Sequence, residues 1–195
     1  VGLTFASGLR SILRQDPDII RGGEIRDGET AENAMRPAMT GHLVITTVHT
    51  EDAISAIDRL RDMGVPPYLI AAGLRGVISQ RLLRRICPSC KQETVPSEKS
   101  LELAGIPDVP GKIYWPGAGC DQGFRSGYRG RIGVFEVMMV QEELRRCILD
   151  GADRKRFMEA AREASGYVTM AEHARKLVDK GITTVDEVIR TLMTL

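Results

Sequence analysis

The chain has 195 residues, of which 43% are hydrophobic and 27% are charged, the ordinary balance of a globular protein. Its 27 basic and 26 acidic side chains give a formal net charge of +1, which excludes a strongly basic nucleic-acid-binding protein. No run of about 18 apolar residues occurs, so we predict no transmembrane segment. Because the chain begins at Val1 without a methionine, we expect it to be part of a longer protein.

The first part of the chain alternates helical and strand patterns, which favours a parallel α/β layer. In chain order the pattern first predicts a helix that Thr4 caps and that ends before Pro17, followed by a strand at 19–20. A helix at 30–39 is closed by Gly41 and leads to a strand at 43–48 that we expect to be buried on both faces. Two more helices are predicted at about 53–63 and 67–84.

The pattern changes after Arg85. Residues 86–130 are rich in Pro and Gly and hold three of the four cysteines, so we interpret them as a loop-rich insert. A predicted strand at 131–138 then leads into a helical subdomain, with helices at about 141–149, 154–164, 170–180 and 185–193. The spacings Thr169 to Glu172 and Thr184 to Glu187 match capping boxes.

An acidic group follows the first predicted strand and includes Glu24 and Asp27. A carboxylate at the carboxyl end of a buried strand can hold a Mg²⁺ shell or orient water in a nucleotide hydrolase. Taken alone, the same pattern also fits an acidic turn between a strand and a helix.

Two histidines flank the second predicted strand: His42 precedes it and His49 follows it. A histidine at the carboxyl end of a strand can contact a phosphate. A hydrogen-bonded histidine that closes a strand end is the alternative.

The cysteines of the insert have the spacing of a metal site. Cys87-x-x-Cys90 is followed by Cys120, but Gly123 stands where a second Cys-x-x-Cys pair would end. Three thiolates could bind Zn²⁺, with a water, Asp121 or the remote Cys147 as the fourth ligand. A metal-free knuckle held by packing is the alternative.

A group of arginines lies around and within the insert. They could bind carboxylates or phosphates, form a solvated face with intramolecular ion pairs, or line a subunit interface. The group comprises Arg75, Arg81, Arg84, Arg85, Arg125, Arg129 and Arg131.

Several stretches together resemble the motor domain of the type II secretion and type IV pilus assembly ATPases. The resemblance covers essentially the whole chain in order, through residues 2–18, 23–27, 40–42, 49–50, 80–87, 127–133 and 181–188. It implies an α/β fold: a partial RecA-like (P-loop NTPase) motor domain with a cysteine-containing insert and a helical carboxyl-terminal subdomain.

The resemblance also implies roles for individual residues. Glu24 would be the glutamate of an atypical Walker B motif near Mg²⁺, with Arg26 beside it within reach of a phosphate. His42 and His49 would belong to a His box near ATP and the subunit interface of a hexameric ring. The family's assembly members carry four cysteines in the insert, whereas this chain has Cys87, Cys90 and Cys120 with Gly123 in the fourth place.

The sequence departs from the family pattern in two further ways. Arg21 and Gly22 stand before the Gly-Glu pair, where apolar residues are usual, and Gly22 weakens a strand. No Gly-x-x-x-x-Gly-Lys-Ser/Thr motif occurs, and the family's acidic Asp box is missing as well. We therefore expect that these 195 residues alone hydrolyse no ATP.

The resemblance predicts the carboxyl-terminal part of a cytoplasmic ATPase, peripheral at the bacterial inner membrane, that contacts a membrane platform. We expect no nucleic-acid binding, because the net charge is near zero and the aromatic residues do not interleave with the arginines. Residues 1–85 would form the second half of the motor, 86–130 the insert, and 131–195 a strand plus the helical subdomain. A non-enzymatic assembly module and a pilus-retraction ATPase are the alternatives, and the cysteine insert argues against retraction.

Overall fold

A computed structural model describes residues 5–15 and 17–193, and the side chains within these ranges except those of residues 5–7, 10, 164 and 165. The chain divides into two compact units. The first comprises residues up to Ser79 together with Val137–Tyr167, and the second comprises Gln80–Glu136 together with the residues from Val168 onward. Among the described residues, no helix combines the length and apolar character needed to cross a bilayer.

The first unit begins with alternating helices and strands. In order these are α1 (Phe5–Leu13), β1 (Ile19–Glu24), α2 (Gly28–Met39), β2 (Leu43–Thr47), α3 (Ala53–Asp62) and α4 (Pro67–Gly73). β1 and β2 pair in parallel through the crossover helix α2, as the alternating pattern predicted. Thr4, which we predicted to cap α1, and Asp16, whose backbone Pro17 restricts, lie outside the described residues.

Side-chain caps fix where two helices of this unit begin. The carboxylate of Asp27 accepts the backbone N–H of Thr30 at 2.8 Å, and that of Asp52 accepts the N–H of Ser55 at 2.8 Å. Each cap satisfies a donor that a helix start leaves without an intrahelical partner. The apolar faces of these helices pack with α6 (Glu142–Asp150) and α7 (Arg154–Ser165) around a core centred on Ile54, Ile57, Leu69, Ile70, Leu144, Ile148 and Phe157.

Two predictions for this region are wrong. The helix predicted at 67–84 ends at Gly73, and Gly76–Ile86 is a strand, β3, paired with β4 (Tyr128–Met139). The strand β2 is not buried on both faces, because Leu43 and Ile45 are 47% and 50% exposed while Val44 packs on the core. Its side chains therefore alternate between a covered and an uncovered face.

The second unit contains the insert, with the short helix α5 (Glu98–Leu103), and the last helices, α8 (Met170–Asp179) and α9 (Val185–Val188). Its core includes Leu83, Leu101, Tyr114, Val134, Ala174, Leu177 and Val185. The capping box predicted at Thr169 and Glu172 is present at the start of α8. Thr184 also caps α9 through Oγ1, but the carboxylate of Glu187 binds Arg84 and Arg190. The helix predicted at 185–193 becomes a π-helical turn from Ile189.

Candidate functional site

The carboxyl ends of β1 and β2 form one edge of the parallel sheet. The backbone N–H of Ile25 donates to the carbonyl of Thr47 at 2.8 Å, and Oγ1 of Thr47 donates to the carbonyl of Gly23 at 3.0 Å. The register of the pair is irregular between Arg21 and Glu24, a stretch that contains Gly22, the residue expected from the sequence to weaken the strand. Glu24, the last residue of β1, therefore lies beside the end of β2.

Glu24 binds two basic side chains, one at each carboxylate oxygen. Nη2 of Arg26 lies 2.7 Å from Oε2, and Nε2 of His49 lies 2.5 Å from Oε1. The hydrogen bond from Arg26 holds the pKa of Glu24 below its ordinary value, and the nearby charges of Arg26 and His49 act in the same direction. The carboxylate is therefore ionised at neutral pH.

The surroundings of Glu24 are open on one side. The side chains of Arg26 and His49 are 80% and 92% exposed, whereas that of Glu24 is 21% exposed. Two exposed partners can turn away from the carboxylate without disturbing the core. An ionised carboxylate held by the backbone at a sheet edge is the kind of oxygen ligand that Mg²⁺ takes.

His42 lies at the other end of β2. Its backbone N–H donates to the carbonyl of Pro37 at 3.2 Å, and Nδ1 lies 3.3 Å from the same oxygen and from Oγ1 of Thr40. His42 thus closes the turn between α2 and β2. The structure gathers Glu24, Arg26 and His49 at one edge and leaves His42 at the opposite end of the strand, about five residues of strand away, or roughly 16 Å.

The three thiols of the insert converge, as the sequence spacing predicted. The Sγ atoms of Cys87, Cys90 and Cys120 lie within 4.8 Å of one another. The backbone N–H of Ser89 holds the pKa of Cys87 below its ordinary value, whereas burial raises the pKa of Cys90. The donor set fits three of the four ligands that a structural Zn²⁺ takes.

The other side chains considered as a fourth ligand lie elsewhere. The side chain of Asp121 is 95% exposed and pairs with Arg125, so its carboxylate lies outside the thiol group. Cys147 is buried in α6, within the core of the first unit. Asp121 and Cys147 are therefore not placed to be the fourth ligand, and water is the alternative that is left.

Three of the seven arginines of the basic group contact other side chains of the chain. Arg84 stacks on the ring of Tyr128 at 4.0 Å and binds Glu187, Arg125 pairs with Asp121, and Arg129 donates to Gln122. These contacts support the interpretation of the group as intramolecular ion pairs and hydrogen bonds.

One charged network was not predicted from the sequence. The carboxylate of Glu187 is fully buried and is bound by Arg84 at 2.7 Å and by Arg190 at 2.6 Å. Burial opposes its ionisation, but the hydrogen bonds from Arg190 and Arg84 outweigh this and lower its pKa to about 2. The three-residue spacing between Glu187 and Arg190 could have indicated their ion pair from the sequence. Nothing in the sequence indicated that Arg84, from β3, also binds Glu187.

With this geometry in place, comparison with known families identifies the class of protein. Residues 1–190 match the family described as "Type II/IV secretion system protein", and the chain belongs to this family. This confirms the resemblance inferred from the motifs.

Individual relatives agree with that assignment. The chain is 46% identical over 190 residues to the type IV pilus assembly ATPase PilB of Thermus thermophilus, with 96% of this chain and 21% of the relative covered. It is 43% identical over 190 residues to the type II secretion system protein E of Klebsiella pneumoniae, with 97% and 37% covered. The chain thus spans well under half the length of these curated relatives.

Solved structures define the fold. The pilus retraction motor PilT, determined with bound ADP, superposes with a TM-score of 0.66 at 28% identity, covering 96% of this chain and 43% of that one. The Legionella pneumophila ATPase DotB gives a TM-score of 0.63 at 24% identity, covering 95% and 41%, and supports the fold alone. The fold is that of a partial RecA-like ATPase domain with a cysteine-containing insert, as predicted.

Proposed function

We propose that this chain is the carboxyl-terminal part of an ATPase that powers type II protein secretion or type IV pilus assembly. The observation that carries the proposal is the carboxylate of Glu24, held at the edge of a parallel sheet between Arg26 and His49 in a member of this family. The identities of 43% and 46% to secretion and pilus-assembly relatives, against 28% to the retraction motor, favour assembly or secretion over retraction.

Each residue of the edge has a proposed role in the complete protein. Glu24 would hold the Mg²⁺ shell or orient the water that attacks the γ-phosphate. His49 and Arg26 keep Glu24 ionised and oriented, and both are exposed enough to turn toward a nucleotide. His42 lies at the opposite end of β2, so we propose that it acts near the nucleotide at the subunit interface of the ring. ATP with Mg²⁺ supplies the phosphoryl group and the charge compensation for its transfer.

The phosphate cradle is the part that this sequence does not provide. No Gly-x-x-x-x-Gly-Lys-Ser/Thr motif occurs in the 195 residues, so no P-loop lysine or nest of N–H groups is available from them. We therefore propose that these residues supply the groups near Mg²⁺ and that another part of the protein supplies the groups that bind the β- and γ-phosphates.

The same proposal includes the setting of the protein. Residues 1–85 would form the second half of the motor, 86–130 the insert and 131–195 the carboxyl-terminal subdomain. In the complete protein these would assemble into a hexameric ring in the cytoplasm, peripheral at the inner membrane and in contact with platform proteins. A Zn²⁺ ion at the cysteines would stabilise the insert without taking part in hydrolysis.

The test is ATP turnover by the complete protein and by this chain alone. We expect Glu24→Gln in the complete protein to lower kcat by about 100-fold or more, because the amide cannot replace an ionised oxygen near the metal. Glu32→Gln is a matched control, since Glu32 forms only a surface pair with Arg36 on α2. We expect its kcat to be unchanged.

Three results would contradict the proposal. Steady ATP turnover by the 195 residues alone would show that the phosphate site lies within them. Wild-type turnover by Glu24→Gln would remove the carboxylate from the mechanism. A complete protein that neither binds nor hydrolyses ATP would favour the non-enzymatic assembly module.

A further inference from the structure

The turn at Phe124 presents an aromatic side chain to solvent. Phe124 is 92% exposed, the largest exposed fraction among the large hydrophobic residues that the structure describes. Its φ of 48° and the φ of 58° at Arg125 both lie in the left-handed region, which is strained for bulky side chains. The chain thus keeps an uncovered ring on a strained backbone at this turn.

Backbone contacts hold this turn in place. The N–H of Phe124 donates to the carbonyl of Asp121 at 3.2 Å, and the N–H of Arg125 donates to the carbonyl of Cys120 at 2.9 Å. The carbonyl oxygen of Arg125 also packs on Gly119, where a Cβ would lie 2.7 Å from it. Because the turn is already ordered, a partner that covers the ring loses little binding free energy to ordering it.

Arg125 places a positive charge next to the ring. Its side chain is 87% exposed and pairs at 3.6 Å with the carboxylate of Asp121, which is itself 95% exposed. An ion pair this exposed contributes little to stability, so Arg125 can exchange it for another carboxylate. The turn therefore offers an aromatic ring beside a guanidinium, a combination that is enriched in protein–protein interfaces.

A cavity in the same unit has features that complement this turn. It has a volume of about 240 Å³. Its apolar lining comprises Pro96, Trp115, Pro116 and Val178. Side-chain hydroxyls and the exposed residue Asp186 complete the lining of this cavity, which we call the Trp115 cavity. A cavity of about 150 Å³ is large enough to hold benzene, so the volume admits a phenyl ring.

Contacts within the unit fix the indole of Trp115. Nζ of Lys91 lies 4.8 Å from the centre of the ring and donates to the carbonyl of Gly181 at 2.9 Å. Gly181 packs so closely on the indole that an added Cβ would lie 2.7 Å from it. The wall of the cavity is therefore preformed, as is usual for a binding site.

We propose that Phe124 of one copy of this chain inserts into the Trp115 cavity of a second copy. Arg125 of the first copy then pairs with Asp186 of the second. The volume of the cavity and the opposite charges of the two residues beside the ring and the cavity support this contact. Two different surfaces meet in it, so the contact is heterologous, the type of contact through which rings close.

The contact is too small to hold two copies together by itself. One ring and one ion pair bury far less than the roughly 1,200 Å² of a stable specific interface. The contact therefore acts between copies that other contacts already hold together, where the effective concentration is high. In this respect the inference rests on the proposed assembly into a ring.

The test is cross-linking of the complete protein from position 124. Phe124→p-benzoylphenylalanine keeps an aromatic ring and forms covalent bonds to nearby groups on irradiation. We expect a cross-linked dimer on denaturing gels. Mass spectrometry should join position 124 to the segments that line the cavity, 94–100, 114–116 or 178–186.

A second measurement covers the case in which the larger ring does not fit. Arg125→Lys provides an amine that a carbodiimide joins to a carboxylate in direct contact. We expect an amide between position 125 of one copy and Asp186 of another in the cross-linked dimer. This measurement leaves Phe124 unchanged.

A charge variant with a matched control tests the ion pair. Asp186→Asn removes the charge that Arg125 meets, so it should lower the yield of photo-cross-linked dimer by about threefold or more. Asp108→Asn is the control, because Asp108 is an exposed aspartate of the same unit that does not line the cavity. We expect its yield to match that of the protein with Asp186 intact.

Three outcomes would overturn the inference. Cross-links confined to one chain, or dimers joined outside the cavity, would remove the contact between copies. Cross-links to lipid instead of the cavity, in a parallel irradiation with phosphatidylglycerol vesicles, would assign Phe124 to the membrane. Sedimentation distinguishes this inference from the proposed function: an assembled protein without cavity cross-links overturns the inference alone, and a monomeric protein without them also overturns the ring.

Discussion

Nε2 of His49 lies 2.5 Å from Oε1 of Glu24, although Glu24 ends β1 and His49 follows β2. The contact exists because β1 and β2 run in parallel, which brings their carboxyl ends to the same edge of the sheet. The side chain of His49 is 92% exposed, so it can move away from the Glu24 carboxylate when a ligand binds there.

The first prediction concerns this contact in the complete protein. If His49 acts by orienting Glu24, His49→Ala should lower kcat for ATP by about tenfold, a smaller loss than that of Glu24→Gln. The double variant should then be no slower than Glu24→Gln alone, because the two residues act as one unit. Steady-state kinetics of the four proteins measure the coupling, and fully additive losses would show that His49 acts independently of Glu24.

A second prediction separates two roles of Asp52, which caps α3 and also binds Arg154 of α7. Asp52→Ala should destabilise the first unit by about 1–2 kcal/mol, because the cap is lost. Asp52→Asn keeps a capping oxygen and loses the charge, so its cost should stay below about 1 kcal/mol, as for partly exposed ion pairs. Urea unfolding followed by far-UV circular dichroism tests this, and equal losses in the two variants would contradict it.

A third prediction rests on the close approach of α2 to the end of α3. A Cβ at Gly28 would overlap the backbone carbonyl oxygen of Met63, a contact that only a backbone shift can relieve. Gly28→Ala should therefore cost about 1–3 kcal/mol of unfolding free energy. Gly23→Ala is the matched control: its Cβ meets nothing within 4 Å, so stability should be unchanged or slightly raised. Equal stability of the two variants would rule out the steric argument.

The fourth prediction concerns acid stability of the second unit. The folded pKa of Glu187 is about 2, below its ordinary value of 4.5, so its ionisation favours the folded state. This contribution, on the order of 3 kcal/mol, is fully present above about pH 4.5 and is lost as the pH falls toward 2. Glu187→Gln should be less stable at pH 6 and should lose less stability than the wild type on acidification.

The fluorescence of Trp115 measures this effect, because it is the only tryptophan of the chain and lies in the same unit as Glu187. Urea unfolding at pH 6 and at pH 3 gives the free energies for both proteins. An identical loss of stability on acidification in the two proteins would assign the pH dependence to other carboxylates.

The local patterns predicted most of the first unit and the start of α8 in the second unit. The strands at β1 and β2, the helix between them and the capping box at Thr169 depend on residues that are neighbours in the sequence. The strand β3 was mistaken for helix because its apolar residues also fit a helical spacing, and only pairing with β4, far along the chain, distinguishes the two. The buried carboxylate of Glu187 was missed for the same reason, since its partner Arg84 comes from β3.

The sequence by itself determined the family, the parallel crossover and the identity of the three thiols, because motifs and periodicity are properties of neighbouring residues. The tertiary structure decided which of these residues meet. It joined Glu24 to His49 and separated His42 from them, and it placed Asp121 and Cys147 away from the three thiols. Strand register decides which of these side chains meet, and register depends on hydrogen bonds between residues far apart in the chain.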